Sequence, residues 1–201
     1  MVRKKPPKKK AAPNLKQLWY IAYHEAGHVT ACLRLGIGIG RAGVSIVADG
    51  GGGFTASHRG FRGNPEVGDT DRRRSRIEKN VVMILAGTAA QRKFRPSSVR
   101  RMHGSSDRNQ AINLLGCLVG SDQELDAWLK LLRIRAEHLV ENAFNWKVIE
   151  AVAAALMERK RLGAKDVKDI SLRMRFPNGP PIVQEPGRPP HLKQKSQPET
   201  R

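Results

Sequence analysis

The chain has 201 residues, of which 39% are hydrophobic and 27% charged, with two cysteines and a formal net charge of +19. That size and composition suit one compact domain with flanking segments. Two cysteines exclude a disulfide-built scaffold and fit a reducing, cytoplasmic location, while the longest apolar run, Val81 to Ala90, is too short to span a membrane.

Residues 1–13 hold six Lys/Arg and no acid. They read as a disordered basic arm, and the lack of an apolar core before Pro13 argues against a signal peptide. A helix follows. Asn14 is a good N-cap, Gln17 completes a capping-box pattern, and Leu15, Leu18, Trp19, Ala22, Ala26, Val29 and Leu33 recur at helical spacing until Gly36 stops it. Residues 36–63 contain ten glycines. Within them Gly43–Ala48 reads as a strand, the glycines 50–53 as a turn, and Phe54–His58 as a returning strand of a small hairpin. Residues 59–71 read as a loop.

A second long helix is expected over about Arg72–Phe94, with Ile77, Val81, Ile84, Leu85 and Thr88 on its buried side. Ala86, Gly87, Ala89 and Ala90 leave its surface thin, as Ala22, Ala26 and Gly27 do on the first helix. With aromatics at only 5%, such small residues must do much of the packing, and the two helices are expected to approach closely. A third helix is expected from Ser105 or Ser106 to Cys117, two more over 122–142 and 145–161, and a short one over Ala164–Leu172. Residues 173–201, with six Lys/Arg against two Glu, read as a disordered Pro-rich basic tail. The expected organisation is therefore an arm (1–13), one domain (14–172) and a tail (173–201), in a mainly α (α+β) fold. The middle still carries +9 once both flanks are removed. A basic balance of this kind favours anionic partners such as nucleic acid or an acidic surface.

The chemistry lies on the first helix. In His24-Glu25-Ala26-Gly27-His28 the two histidines stand four positions apart, so both imidazoles lie on one face, one turn apart, within reach of one ion. Neutral imidazole is a ready zinc ligand. Glu25, rotated about 100° around the axis, can stand beside such an ion and act as a general base without binding it. From this chain's composition, chance placement yields the pattern with a probability of roughly 1%. A catalytic zinc site takes three protein ligands and leaves one position open, so a third must come from elsewhere. No third His or Glu follows shortly downstream: the next Glu is Glu66. Cys32 lies about 12 Å along the axis from His24 and is read as a small core residue. The candidates are His58, Asp69, Asp71, His103 and Asp107. Asp107 is favoured among them because it follows Gly104-Ser105-Ser106 at a helix start, where a carboxylate is electrostatically favourable.

Tyr23-His24-Glu25-Ala26-Gly27-His28 resembles the zinc helix of the FtsH-type ATP-dependent zinc metallopeptidases. Val44-Ser45-Ile46-Val47 with the following Gly-Gly-Gly-Phe-Thr resembles the strand pair beside their active site. Leu85-Ala86-Gly87-Thr88-Ala89-Ala90-Gln91 resembles their Gly-Gly-Arg-Ala-Ala-Glu helix, and Gly104-Ser105-Ser106-Asp107 followed by Ala111 resembles the segment supplying their third ligand. The resemblance covers about residues 14–172. It implies a helical zinc-peptidase domain in which His24, His28 and Asp107 bind Zn2+ and Glu25 is the catalytic base. Gln91 stands where the family has Glu, and Thr88 where it has Arg, so a charged role at 91 is lost or altered.

The family joins this domain to an ATPase module and membrane helices. These 201 residues contain no Gly-x-x-x-x-Gly-Lys-Ser/Thr loop and no membrane segment. The expectation is a cytoplasmic hydrolase cleaving unfolded or partner-delivered polypeptide, as a homo-oligomer or beside a separate ATPase. Two other readings stand beside it: a non-hydrolytic zinc-stabilised binding module, and a nucleic-acid-associated protein working through its basic flanks.

Overall fold

A computed structural model describes residues 14–40, 42–47, 71–99 and 105–179. The expected arm over 1–13, the returning strand at 54–58 and most of the tail lie outside these residues. The described chain is mainly helical with one small sheet, in the order α1 (Leu15–Leu35), β1 (Val44–Ser45), α2 (Asp71–Phe94), a 3-10 turn (Pro96–Ser98), α3 (Ser105–Leu115), α4 (Asp122–Glu141), α5 (Ala143–Arg159), β2 (Arg161–Leu162) and α6 (Ala164–Arg175). No helix among the described residues is long and apolar enough to cross a membrane.

Local chemistry explains the helix ends. Asn14 Oδ1 accepts from the Gln17 backbone N–H and Gln17 Oε1 accepts from that of Asn14, both at 3.0 Å. This reciprocal pair satisfies two donors that the first turn would otherwise leave open. Gly36 closes α1 in the left-handed region, at φ 69°, which glycine enters without strain. Ser121 Oγ caps α4 and Asn142 Oδ1 caps α5. α6 runs through Arg175, one turn past the expected Leu172, so residues 173–175 belong to the helix and not to the tail.

α2 is the central element, packed against α1, α3 and α4, while α1 also packs against α5. Because α2 is wrapped from several sides, Asn80, Val82, Met83, Ala86, Ala89 and Gln91 are buried along with the expected Ile77, Val81 and Ile84; Leu85 and Thr88 are only half-buried. The α1–α2 contact is as close as the small residues imply. A Cβ placed on Gly27 would stand 2.6 Å from the Ala86 carbonyl oxygen and 2.7 Å from Ala90 Cβ. Leu15, the first residue of the α1 stripe, is exposed, as are Lys16 and Gln17 beside it.

The strand expected at 43–48 is present in shortened form, and its described partner is distant in sequence. Val44 pairs with Leu162 and Ser45 with Arg161, antiparallel, and the Ile46 N–H donates to the Lys160 carbonyl at 3.0 Å. This pairing ends α5 at Arg159, short of the expected 161. Lys160 turns the chain at φ 65°, and Leu162 becomes buried against Val44 and Ile46 in the core. Gly43 allows the approach: at φ 68° a side chain there would be strained and would run into the Leu162 carbonyl.

Gly27→Ala is expected to destabilise the protein by about 1–3 kcal/mol, the usual cost of forcing volume into a close-packed interface. Urea unfolding followed by circular dichroism measures it; an unchanged midpoint would contradict the contact.

Candidate metal centre

α1 presents His24 and His28 on its α2-facing side, with ring centroids 4.6 Å apart and planes nearly perpendicular. α3 supplies Asp107 from its first turn. Asp107 shares a face with Ala111 and Leu115, four and eight residues on, and both of these are buried. The packing of that face against the core therefore turns the carboxylate inward. His24 Nε2 lies 3.0 Å from His28 Nε2 and 3.1 Å from Asp107 Oδ2, and His28 Nε2 lies 3.6 Å from the same oxygen.

These edges match a metal site. Ligand atoms about 2.0–2.1 Å from a tetrahedral zinc stand about 3.3 Å from one another, close to all three separations here. The proton inventory leads the same way. His28 Nδ1 lies 2.9 Å from the Met83 carbonyl. The carbonyl can only accept, so Nδ1 carries the proton and Nε2 of the neutral ring presents a lone pair. Three electron-rich atoms then converge with at most one proton, on His24 Nε2, to share. Asp107 Oδ2 is buried and, despite its nearness to both rings, is not aligned in a hydrogen bond. Among the described residues, His24, His28 and Asp107 bring one ligand atom each within 4.8 Å of one another, close enough to share a metal ion. Two imidazoles and a carboxylate suit zinc, with one coordination position left for water or substrate.

Burial lowers the pKa of His28, and the neighbouring His24 lowers it further, against the opposing pull of Glu25, Asp107 and the Met83 carbonyl. Burial alone would raise Asp107, but the close approach of His24 Nε2, at 3.1 Å, and the influence of His28 hold its carboxyl below the usual range. Both shifts keep the site in its metal-ready form, imidazole neutral and carboxylate ionised. Glu25 is buried, at 4% exposure, and its charge is felt at His28.

Of the other third-ligand candidates, Asp71 is exposed at the start of α2, away from the triangle; His58, Asp69 and His103 lie outside the described residues. Cys32 is fully buried, and burial pushes its thiol up to about 12, so it is an inert core group, as its position on α1 implies. Gln91 is buried, and its amide nitrogen donates to the carbonyl and the hydroxyl of Ser98, both at 3.3 Å. Sequence reasoning did not find the Met83 carbonyl, because a main-chain acceptor leaves no mark on residue type.

Compared with models of known protein families, the chain matches none, and no curated protein matches it.

Two outcomes are expected. Asp107→Ala should lose most bound zinc while keeping its helical content, read by elemental analysis after gel filtration and by circular dichroism; full retention of zinc would remove Asp107 from the ligand set. Acidification should destabilise the metal-free protein. Below about pH 6.5 the unfolded chain takes up a proton that folded His28 resists, so stability falls as pH drops. The stability that the depressed Asp107 carboxyl contributes is lost on further acidification, through about pH 4 and below. Melting temperatures across this range should fall less steeply in His28→Gln than in wild type.

Proposed function

We propose that residues 14–172 form a zinc-dependent metalloendopeptidase that hydrolyses peptide bonds in unfolded or partner-delivered polypeptides. The observation that carries this reading is the convergence of His24 Nε2, His28 Nε2 and Asp107 Oδ2, each pair 3.0–3.6 Å apart, beside the buried Glu25. A zinc ion held by these three groups would supply Lewis acidity and lower the pKa of water at the site. His28 keeps its direction through its Nδ1–H bond to Met83, an outer contact of the kind that tunes metal ligands. The Glu25 carboxylate takes a proton from the attacking water and returns it to the leaving amine nitrogen. The packed surroundings of α1 and α2 exclude bulk water from one side of the centre.

A second reading, a zinc-stabilised module without hydrolysis, draws on Gln91: it is neutral, and its amide nitrogen bonds Ser98, so it adds no charge to the centre. The basic flanks of the chain suit an anionic partner in either reading, nucleic acid or an acidic surface. A cytoplasmic location accords with two free cysteines.

Glu25→Gln decides between the two. The variant should bind zinc as wild type does, yet cleave an unfolded protein substrate about 10²–10⁴-fold more slowly, the range for loss of a general base. Equal cleavage would take Glu25 out of the mechanism. Zinc bound by both proteins with no turnover by either would favour the non-hydrolytic module.

A further inference from the structure

The α1–α2 interface contains two interior glycines, and they face different groups. Gly27 on α1 faces α2 itself, at the Ala86 carbonyl and Ala90 Cβ. Gly87 on α2 faces the His28 imidazole: a Cβ there would run into Nε2, stand 2.5 Å from Cε1 and lie 2.8 Å from Cδ2. The ring occupies the space that any side chain at 87 would need. Met83, whose carbonyl accepts from Nδ1 of the same ring at 2.9 Å, stands four residues before Gly87, one turn away on the same face of α2. Helix propensity does not account for a glycine here, since an interior glycine is unfavourable relative to alanine and its neighbours Ala86, Ala89 and Ala90 show that alanine suits the segment.

We propose that Gly87 is a positioning residue of the metal centre. With the Met83 carbonyl it forms a receptacle, made of one turn of α2 backbone, that sets the rotamer and tautomer of His28 and so aims Nε2 at His24 and Asp107. The carbonyl selects which nitrogen carries the proton. The missing side chain lets the ring lie flat enough against α2 for the other nitrogen to reach the triangle. A methyl at 87 would push on Nε2 itself, the ligand atom, more than on the helix packing. This proposal rests on the reading that the His24–His28–Asp107 triangle binds a metal.

The paired glycines supply the test. Zinc dissociation constants are measured by chelator competition for wild type, Gly87→Ala and Gly27→Ala, with the fold of each checked by circular dichroism. Gly87→Ala should bind zinc about 10–100-fold more weakly, the size of effect seen when an outer contact of a ligand is lost, and should alter the visible spectrum of the cobalt(II) form. Gly27→Ala, which presses on the same interface without touching the ring, should keep wild-type affinity in its folded fraction. Melting temperatures of the metal-free proteins form a second arm. Gly87→Ala should lower the melting temperature in wild type but not in a His28→Ala background, where the imidazole has vacated the space. That arm holds even if Gly87→Ala alone does not fold, because the double variant then recovers folding. Unchanged zinc affinity and cobalt spectrum in Gly87→Ala would overturn the proposal while leaving the metal reading intact. An equal loss of melting temperature in both backgrounds would also overturn it. A wild-type protein that binds no zinc would end the metal reading as well.

Discussion

Two helices meet at backbone distance, and the placement of the candidate centre follows from that contact. Ala22 and Ala26 on α1 and Ala86 and Ala90 on α2 are fully buried, and Gly27 and Gly87 leave no room for a methyl between the helices. With larger residues the axes would stand further apart, and the Met83 carbonyl could not reach His28. The interface is thus the middle of the core, and at Met83 and Gly87 it also backs the His28 ring of the candidate centre. Volume added at Gly27 meets the α2 backbone, whereas volume added at Gly87 meets the His28 ring directly.

The aromatic residues consolidate the same pair of helices further along. Tyr23, the residue before His24, stacks on Phe94 at 3.8 Å between centroids and lies 5.6 Å from Trp146. Lys93 places its ammonium 4.3 Å from the centre of the Trp146 ring and 3.3 Å from the Val140 carbonyl near the end of α4. A cation is favoured at a helix C-terminus and over an indole face. One side chain therefore links the end of α2 to both α4 and α5. In a chain with few aromatics, gathering several at one junction anchors the residues next to the candidate centre.

Electrostatics completes the centre from a third direction. Asp107 reaches the two imidazoles from the first turn of a separate helix, where its charge also suits the helix dipole. Its burial is unfavourable unless a cation or strong donors compensate, and the two neighbouring imidazoles offset it, holding the carboxyl below its usual range. Glu25 and His28, beside this point, are among the few buried polar groups of the described core.

Much of this was legible in the residues. The start and stop of α1 are written in Asn14, Gln17 and Gly36, since caps are local hydrogen-bond and φ requirements. The pairing of His24 with His28 is a matter of helical period alone, and the close approach of α1 and α2 follows from their small residues. Four things depended on tertiary structure. Asp107 was favoured from its place at a helix start, but its arrival beside His24 and His28, far away in sequence, is decided by tertiary packing. The end of α5 was misplaced because Leu162 gains more by leaving the helix to pair with Val44. The all-round burial of α2 has no periodic signature. The tautomer of His28 is set by a main-chain carbonyl that any residue at 83 would carry. Sequence determined the local geometry of the ligand helix, because its forces act within one or two turns; the assembly of the centre belonged to the fold, because its contacts join groups that only packing brings together.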